Sequence, residues 1–168
     1  GLGIGPAGLG GTVSVIDVPT KKVTAVVTVA ARAQRLALST DGRWLFTADQ
    51  DSPRLAVIDT KTNKLAPGVA LPGIAYGTAP TPDGRWLLMA LPGLNQVGVL
   101  DLKSMEVVRT LDVPKSPQEV LVRPDGRVAY VSCDASGQVA EIDLTDFKVT
   151  RLIAAGPMAD GLAWASTR

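Results

Sequence analysis

The chain has no histidine and a single cysteine, Cys133, in its 168 residues. Without histidine it lacks the commonest general acid–base group and the commonest metal ligand. One cysteine excludes an internal disulfide and leaves the redox compartment undetermined. Aromatic residues make up only 4% of the sequence, so the core has to be built from Val, Leu, Ile and Ala. Neither sign of charge prevails. Seventeen basic residues face sixteen acidic ones, and no basic stripe exists to recruit nucleic acid. No apolar run approaches the ~20 residues that carry a helix across a bilayer. No segment combines low hydrophobicity with high charge in the manner of a disordered tail. The sequence opens GLGIGPAGLGG without an initiator methionine, from which we expect a removed leader or membership of a longer protein.

What the sequence does contain is repetition. The phrases "VSVIDVPTKKV", "AVIDTKTNKL", "GVLDLKSMEV" and "AEIDLTDFKV" place an aspartate at Asp17, Asp59, Asp101 and Asp143, each 42 residues after the last. A second anchor, Asp-Gly, falls at Asp41, Asp83 and Asp125, again 42 apart. A third begins at Ala33, Ala75, Pro117 and Ala159. Three anchors hold one period without slippage, and four periods account for the full length. A fixed period in this range is the mark of a solenoid, propeller or array.

Each unit reads as four short strands. In the third, "EVLVR" alternates and meets the turn "PDG". "RVAYVSC" is rich in strand formers and is closed by "DASG". "QVAEID" alternates up to the turn "LTD", and "FKVTRLI" alternates again. Helical periodicity is absent. A lone four-stranded sheet of this size cannot bury both apolar faces, whereas sheets stacked around an axis can. The expected fold is therefore all-β, a β-propeller of four 42-residue, four-stranded, WD-like blades. Innermost strands are expected near 35–39, 77–81, 119–123 and 161–165. The ends interlock in this reading: residues 1–168 form one propeller (half-)domain whose first blade is completed by the C-terminal strand 159–165, with residues 1–8 in the place of its second strand.

The residues of this repeat resemble the YVTN family of β-propeller repeats. Its eponymous motif falls on Tyr130-Val131-Ser132-Cys133, on Phe46-Thr47-Ala48-Asp49 and on Leu88-Met89-Ala90-Leu91, and its "VSVID" phrase is literal at Val13 to Asp17. The resemblance covers about residues 12–165. It implies rings of about seven or eight blades and a periplasmic, cell-surface or secreted location. It leaves function open, because a fold does not fix one.

Asp17, Asp59, Asp101 and Asp143 look like a catalytic set, but residues identical in every unit serve the unit itself. Each opens a turn where its carboxylate can accept backbone N–H bonds. Function is sought instead where equivalent positions differ. At the start of the inner strands one column reads Gln34, Tyr76, Gln118, Asp160, and the next reads Arg35, Gly77, Glu119, Gly161. The expected ligand-binding residues, at the mouth of the central channel, are Gln34, Arg35, Tyr76, Gln118, Glu119 and Asp160. Asp49 and Asp51 could hold a hard cation but read better as a turn. Cys133 reads as a buried, inert thiol. The G-x-G-x-x-G at Gly3, Gly5 and Gly8 lacks the preceding strand and following helix that a dinucleotide fingerprint needs. No catalytic residue, metal or cofactor is assigned.

The function expected is a non-enzymatic scaffold binding a protein, peptide or small ligand at the channel mouth. The alternatives are a lactonase- or lyase-like propeller enzyme completed by another chain, and a structural cell-surface repeat protein. The expected partner is a second copy, forming a homodimer, or the other half of a longer propeller, with neither nucleic acid nor a membrane span involved. A two-copy, eight-bladed ring would bury on the order of 800 Å² per partner or more.

Overall fold

The computed structural model describes residues 10–30 and 32–165. Fourteen strands appear among them: β1 (Thr12–Asp17), β2 (Lys22–Thr28), β3 (Ala33–Leu38), β4 (Trp44–Asp49), β5 (Arg54–Asp59), β6 (Lys64–Ala70), β7 (Thr78–Pro80), β8 (Trp86–Leu91), β9 (Gln96–Asp101), β10 (Glu106–Asp112), β11 (Pro117–Val122), β12 (Val128–Cys133), β13 (Gln138–Asp143) and β14 (Lys148–Ala154). They form one two-stranded sheet, β1-β2, and three four-stranded meanders, β3 to β6, β7 to β10 and β11 to β14. Every pairing is antiparallel. The helices among the described residues are single 3-10 turns at Pro92–Leu94 and Asp134–Ser136. The chain is an all-β propeller.

Side-chain alternation explains how the sheets stack. On β8, Leu87, Met89 and Leu91 face the second sheet while Leu88 and Ala90 face the fourth, and all five are fully buried. A strand covered on both faces has no polar position to offer, which is why "LLMAL" is continuous. The seam between the second and third sheets joins Phe46, Leu55, Val57 and Val69 to Leu87, Met89, Leu91 and Leu100. The next seam joins Leu88, Ala90 and Val97 to Val120, Ala129, Val131, Cys133 and Ile142. The first is thinner: Val13, Val27 and Val29 cover Ile58, Leu45 and Ala56. Each large aliphatic side chain buried in this way contributes about 1.5–3 kcal/mol.

The turns are built as the repeat implies. Gly42, Gly84 and Gly126 all hold φ of 71°, a conformation open mainly to glycine. The preceding Asp41, Asp83 and Asp125 each accept the backbone N–H of the following arginine at 3.0 Å. The aspartates of the other column close the turn between third and fourth strands. Asp17 accepts from Thr20 N–H at 2.9 Å, Asp59 from Lys61 at 2.9 Å, Asp101 from Lys103 at 2.7 Å and Asp143 from Thr145 at 2.7 Å. Lys21, Asn63, Met105 and Phe147, one per unit, complete that turn at φ between 53° and 58°. The turn bonds hold carboxyls below their usual range, through the Thr20 hydroxyl at Asp17 and the Thr145 backbone N–H at Asp143.

Two expectations need correction. Residues 161–165 form no strand, and among the described residues 159–165 pair with no sheet. A strand exists only with a hydrogen-bonded neighbour, and among the described residues β1 pairs only with β2. The inner strand expected near 77–81 runs over Thr78–Pro80; it ends in the same column as β3 and β11 but starts later, because Gly77 N–H donates to Gln118 C=O of the neighbouring sheet. The expected second strand at 1–8 lies outside the described residues.

Candidate functional site at the channel mouth

The starts of the inner strands are drawn together by backbone contacts. Gly77 N–H donates to Gln118 C=O at 2.9 Å, and Tyr76 N–H donates to Ala90 C=O at 2.9 Å. A side chain at residue 77 would not fit, since its Cβ would stand 2.4 Å from the Gln118 oxygen and 2.8 Å from Glu119 Cα. Gly77 thus lets the third and fourth sheets meet at the axis.

Arg35 is the centre of the mouth. It is the one member of its column with a left-handed backbone, at φ 54°, which costs a non-glycine residue roughly 1–3 kcal/mol and is tolerated where the surroundings impose it. Its guanidinium pairs with Glu119 and with Asp160, the latter at 2.9 Å. It lies 4.6 Å from the centroid of the Tyr76 ring, close enough for a cation–π contact. Side-chain exposures of 29% for Arg35, 19% for Glu119 and 56% for Asp160 set the depth of the trio. The deeper carboxylate shields the arginine and the shallower one meets solvent. Four of the six expected residues therefore converge on one point from three sheets and the C-terminal segment.

The other two stand aside. Gln118 turns its amide back onto Ser116 Oγ at 2.9 Å. Gln34 contributes its backbone carbonyl, which accepts the Thr47 hydroxyl at 3.3 Å. One residue was missed. Ser132, fully buried, accepts Glu119 N–H at 3.0 Å and donates to the Asp160 carbonyl. Its column reads Ala48, Ala90, Ser132, and the lone hydroxyl in that column was the available signal.

The rival sites resolve into structure. Asp49 accepts Asp51 N–H at 3.0 Å and the Ser52 hydroxyl, while Asp51 pairs with Arg32 at 3.2 Å. This is a self-satisfied turn. Cys133 is fully buried in the seam between third and fourth sheets, and burial pushes its thiol up to about 11. Trp44 and Trp86 each carry an arginine on one ring face, Arg43 and Arg85, 4.6 and 4.3 Å from the ring centroids. The glycines of the dinucleotide-like motif lie outside the described residues.

Neither protein-family models nor curated protein sequences match this chain. Solved structures do. Hydrazine synthase from Kuenenia stuttgartiensis superposes with a TM-score of 0.81 at 26% identity, over 86% of this chain and 43% of that one. The likeness is one of propeller architecture. This chain spans less than half the length of the protein it matches, and the mouth described above comes from its own residues.

Proposed function

We propose that the chain is a non-enzymatic propeller scaffold that binds a peptide or small ligand at the channel mouth. The observation that carries this reading is the convergence of Arg35, Tyr76, Glu119 and Asp160, residues that differ between units, on one partly open point of the axis. Residues needed by the blade recur in every unit, whereas these do not. One guanidinium against two carboxylates leaves a net negative mouth. The favoured ligand group is a cation, such as a lysine side chain or an N-terminal amine of a peptide. The resemblance to YVTN repeats supports an exported location for such a scaffold. The enzyme reading rests on fold analogy with hydrazine synthase and other propellers, and no reacting group in the mouth favours it.

The test is an NMR titration with a tetralysine peptide. Shifts are expected at Arg35, Tyr76 and Glu119. Asp160→Asn should weaken binding about fivefold, in line with the ~1 kcal/mol of a partly exposed ion pair. Shifts confined to the outer strands β2, β6, β10 and β14 would overturn the reading.

A further inference from the structure

The loops beside the mouth follow one plan with one exception. In each four-stranded sheet the loop that enters the inner strand rests on the loop between that sheet's second and third strands. In the second sheet Gln50 N–H donates to Arg32 C=O at 3.2 Å, and Arg32 pairs with Asp51 at 3.2 Å. In the fourth, Asp134 N–H donates to Ser116 C=O at 3.0 Å, and Lys115 N–H donates to Ser136 Oγ at 2.7 Å. The third sheet holds Pro72, Ile74, Pro92 and Leu94 where the fourth holds Pro114, Ser116, Asp134 and Ser136. Pro92 has no N–H to give, and among the described residues no backbone N–H donates to the Ile74 carbonyl.

In the third sheet the polar latch thus gives way to an apolar one. Gly73 passes so close under Leu94 that a Cβ on residue 73 would stand 2.9 Å from Leu94 Cδ1. Ile74 and Leu94 still remain 41% and 43% exposed. Serine stands at both places in the fourth sheet, so the repeat itself does not call for aliphatic groups there. A single exposed aliphatic side chain is ordinary. This pair is set apart by its neighbours: the Ile74 carbonyl, and Tyr76 of the mouth. Two residues separate Ile74 from Tyr76, a span of at most about 7 Å along the chain.

We propose that Ile74 and Leu94 form a second subsite, which takes an aliphatic side chain of the same peptide whose basic side chain enters the mouth. The inference rests on the reading of the mouth as a cation site and adds the sequence class of the ligand. In an extended peptide, side chains two residues apart project to one side, about 7 Å from each other. That matches the step from Tyr76 to Ile74. The ligand is thus an extended segment with a leucine, isoleucine or valine two residues from a lysine or arginine. A backbone N–H of the segment donates to the Ile74 carbonyl, as in peptides that bind by main-chain pairing. The negative mouth draws the basic residue. The apolar pair then sorts basic peptides by their neighbouring side chain, since a polar neighbour gains nothing there.

Methyl and backbone NMR titrations of the full chain test it, with two acetylated and amidated peptides, LSKSL and SSKSS. LSKSL should bind about tenfold more tightly, the gain from burying roughly half of one aliphatic side chain. It should shift the methyl groups of Ile74 and Leu94 together with Arg35 and Tyr76, whereas SSKSS shifts the mouth alone. The double variant Ile74→Ser, Leu94→Ser carries the residues of the fourth sheet at both places. It should bind the two peptides equally and keep the affinity of the unaltered protein for SSKSS. Should that variant not fold, the methyl shifts of the unaltered protein decide. Equal affinity of the unaltered protein for LSKSL and SSKSS overturns the inference, and shifts at Arg35 with tetralysine then keep the cation reading intact. A leucine preference that survives the double variant overturns it too, as do methyl shifts at Ile74 and Leu94 without any at Arg35. Absence of shifts at Arg35 with every peptide removes both the inference and the reading beneath it.

Discussion

Cys133 occupies the last position of β12, where the second and third sheets carry Asp49 and Leu91. Within the seam between sheets, its sulfur donates to the Val131 carbonyl at 3.6 Å and lies beside the Ala140 backbone. Removal from water favours the neutral thiol, and the rise from 9.0 to about 11 leaves about 100-fold less thiolate at neutral pH. Native protein should therefore resist alkylation by iodoacetamide at pH 7 and react promptly once guanidinium unfolds it. Fast labelling of the native chain would show that the third seam opens. At this scale the sequence was most legible for residues serving the blade. The turn aspartates could be assigned because an identical residue at four equivalent places has one local job. Ser132 was harder to see, since a hydroxyl on an otherwise apolar face looks like tolerated variation until its two partners are placed.

At the scale of elements, the strands were legible wherever alternation ran between Asp-Gly and Asp-x-x turns. β13 begins and ends as expected, and β12 differs by one residue. Legibility failed where a strand depends on its neighbour more than on itself. "AYGTAPT" has the right register, yet its strand starts late because Gly77 is given over to the close passage of Gln118. "ADGLAWA" has the right pattern but no strand among the described residues pairs with it. The Gly77 crossing can be checked by Gly77→Ala. The added methyl meets backbone atoms that cannot turn aside, so a loss of about 1–3 kcal/mol is expected, read as a fall of several degrees in melting temperature. An unchanged melting temperature would mean that the third and fourth sheets meet less closely at the axis.

Across the whole molecule, the apolar packing of each sheet is against the one before and the one after, so stability is largely the sum of sheets and seams. The third sheet has a seam on both sides and the first sheet has one, lined by three valines. Amide hydrogen exchange should follow that order. Protection should be greatest in β8 and β9, which exchange through global opening, and least in β1 and β2. Equal protection of β1 and β9 in the isolated chain would contradict a thin first seam. The ring as a whole was the part least readable from sequence. Curvature accumulates from small rotations between sheets, set by the volumes of side chains meeting at each seam, and no single residue states it. The mouth was readable in part for the opposite reason: Arg35, Glu119 and Asp160 stand in adjacent columns near the axis, where divergence between units is visible before any distance is known.

The turn that carries Lys21, Asn63, Met105 and Phe147 has a use of its own. Its backbone accepts four unlike side chains at the same φ, and its tip stands in solvent between the third and fourth strands. A recognition peptide grafted there must keep the carboxylate that opens the turn, the left-handed residue that closes it and, in the third and fourth turns, the packing of Met105 and Phe147. Four such grafts on one chain would be held at a fixed spacing by rigid sheets. Linked sites of this kind bind a multivalent target 10²–10⁴-fold more tightly than one graft alone when the spacing fits. The repeat thus supplies a ready-made ruler for presenting several copies of one epitope.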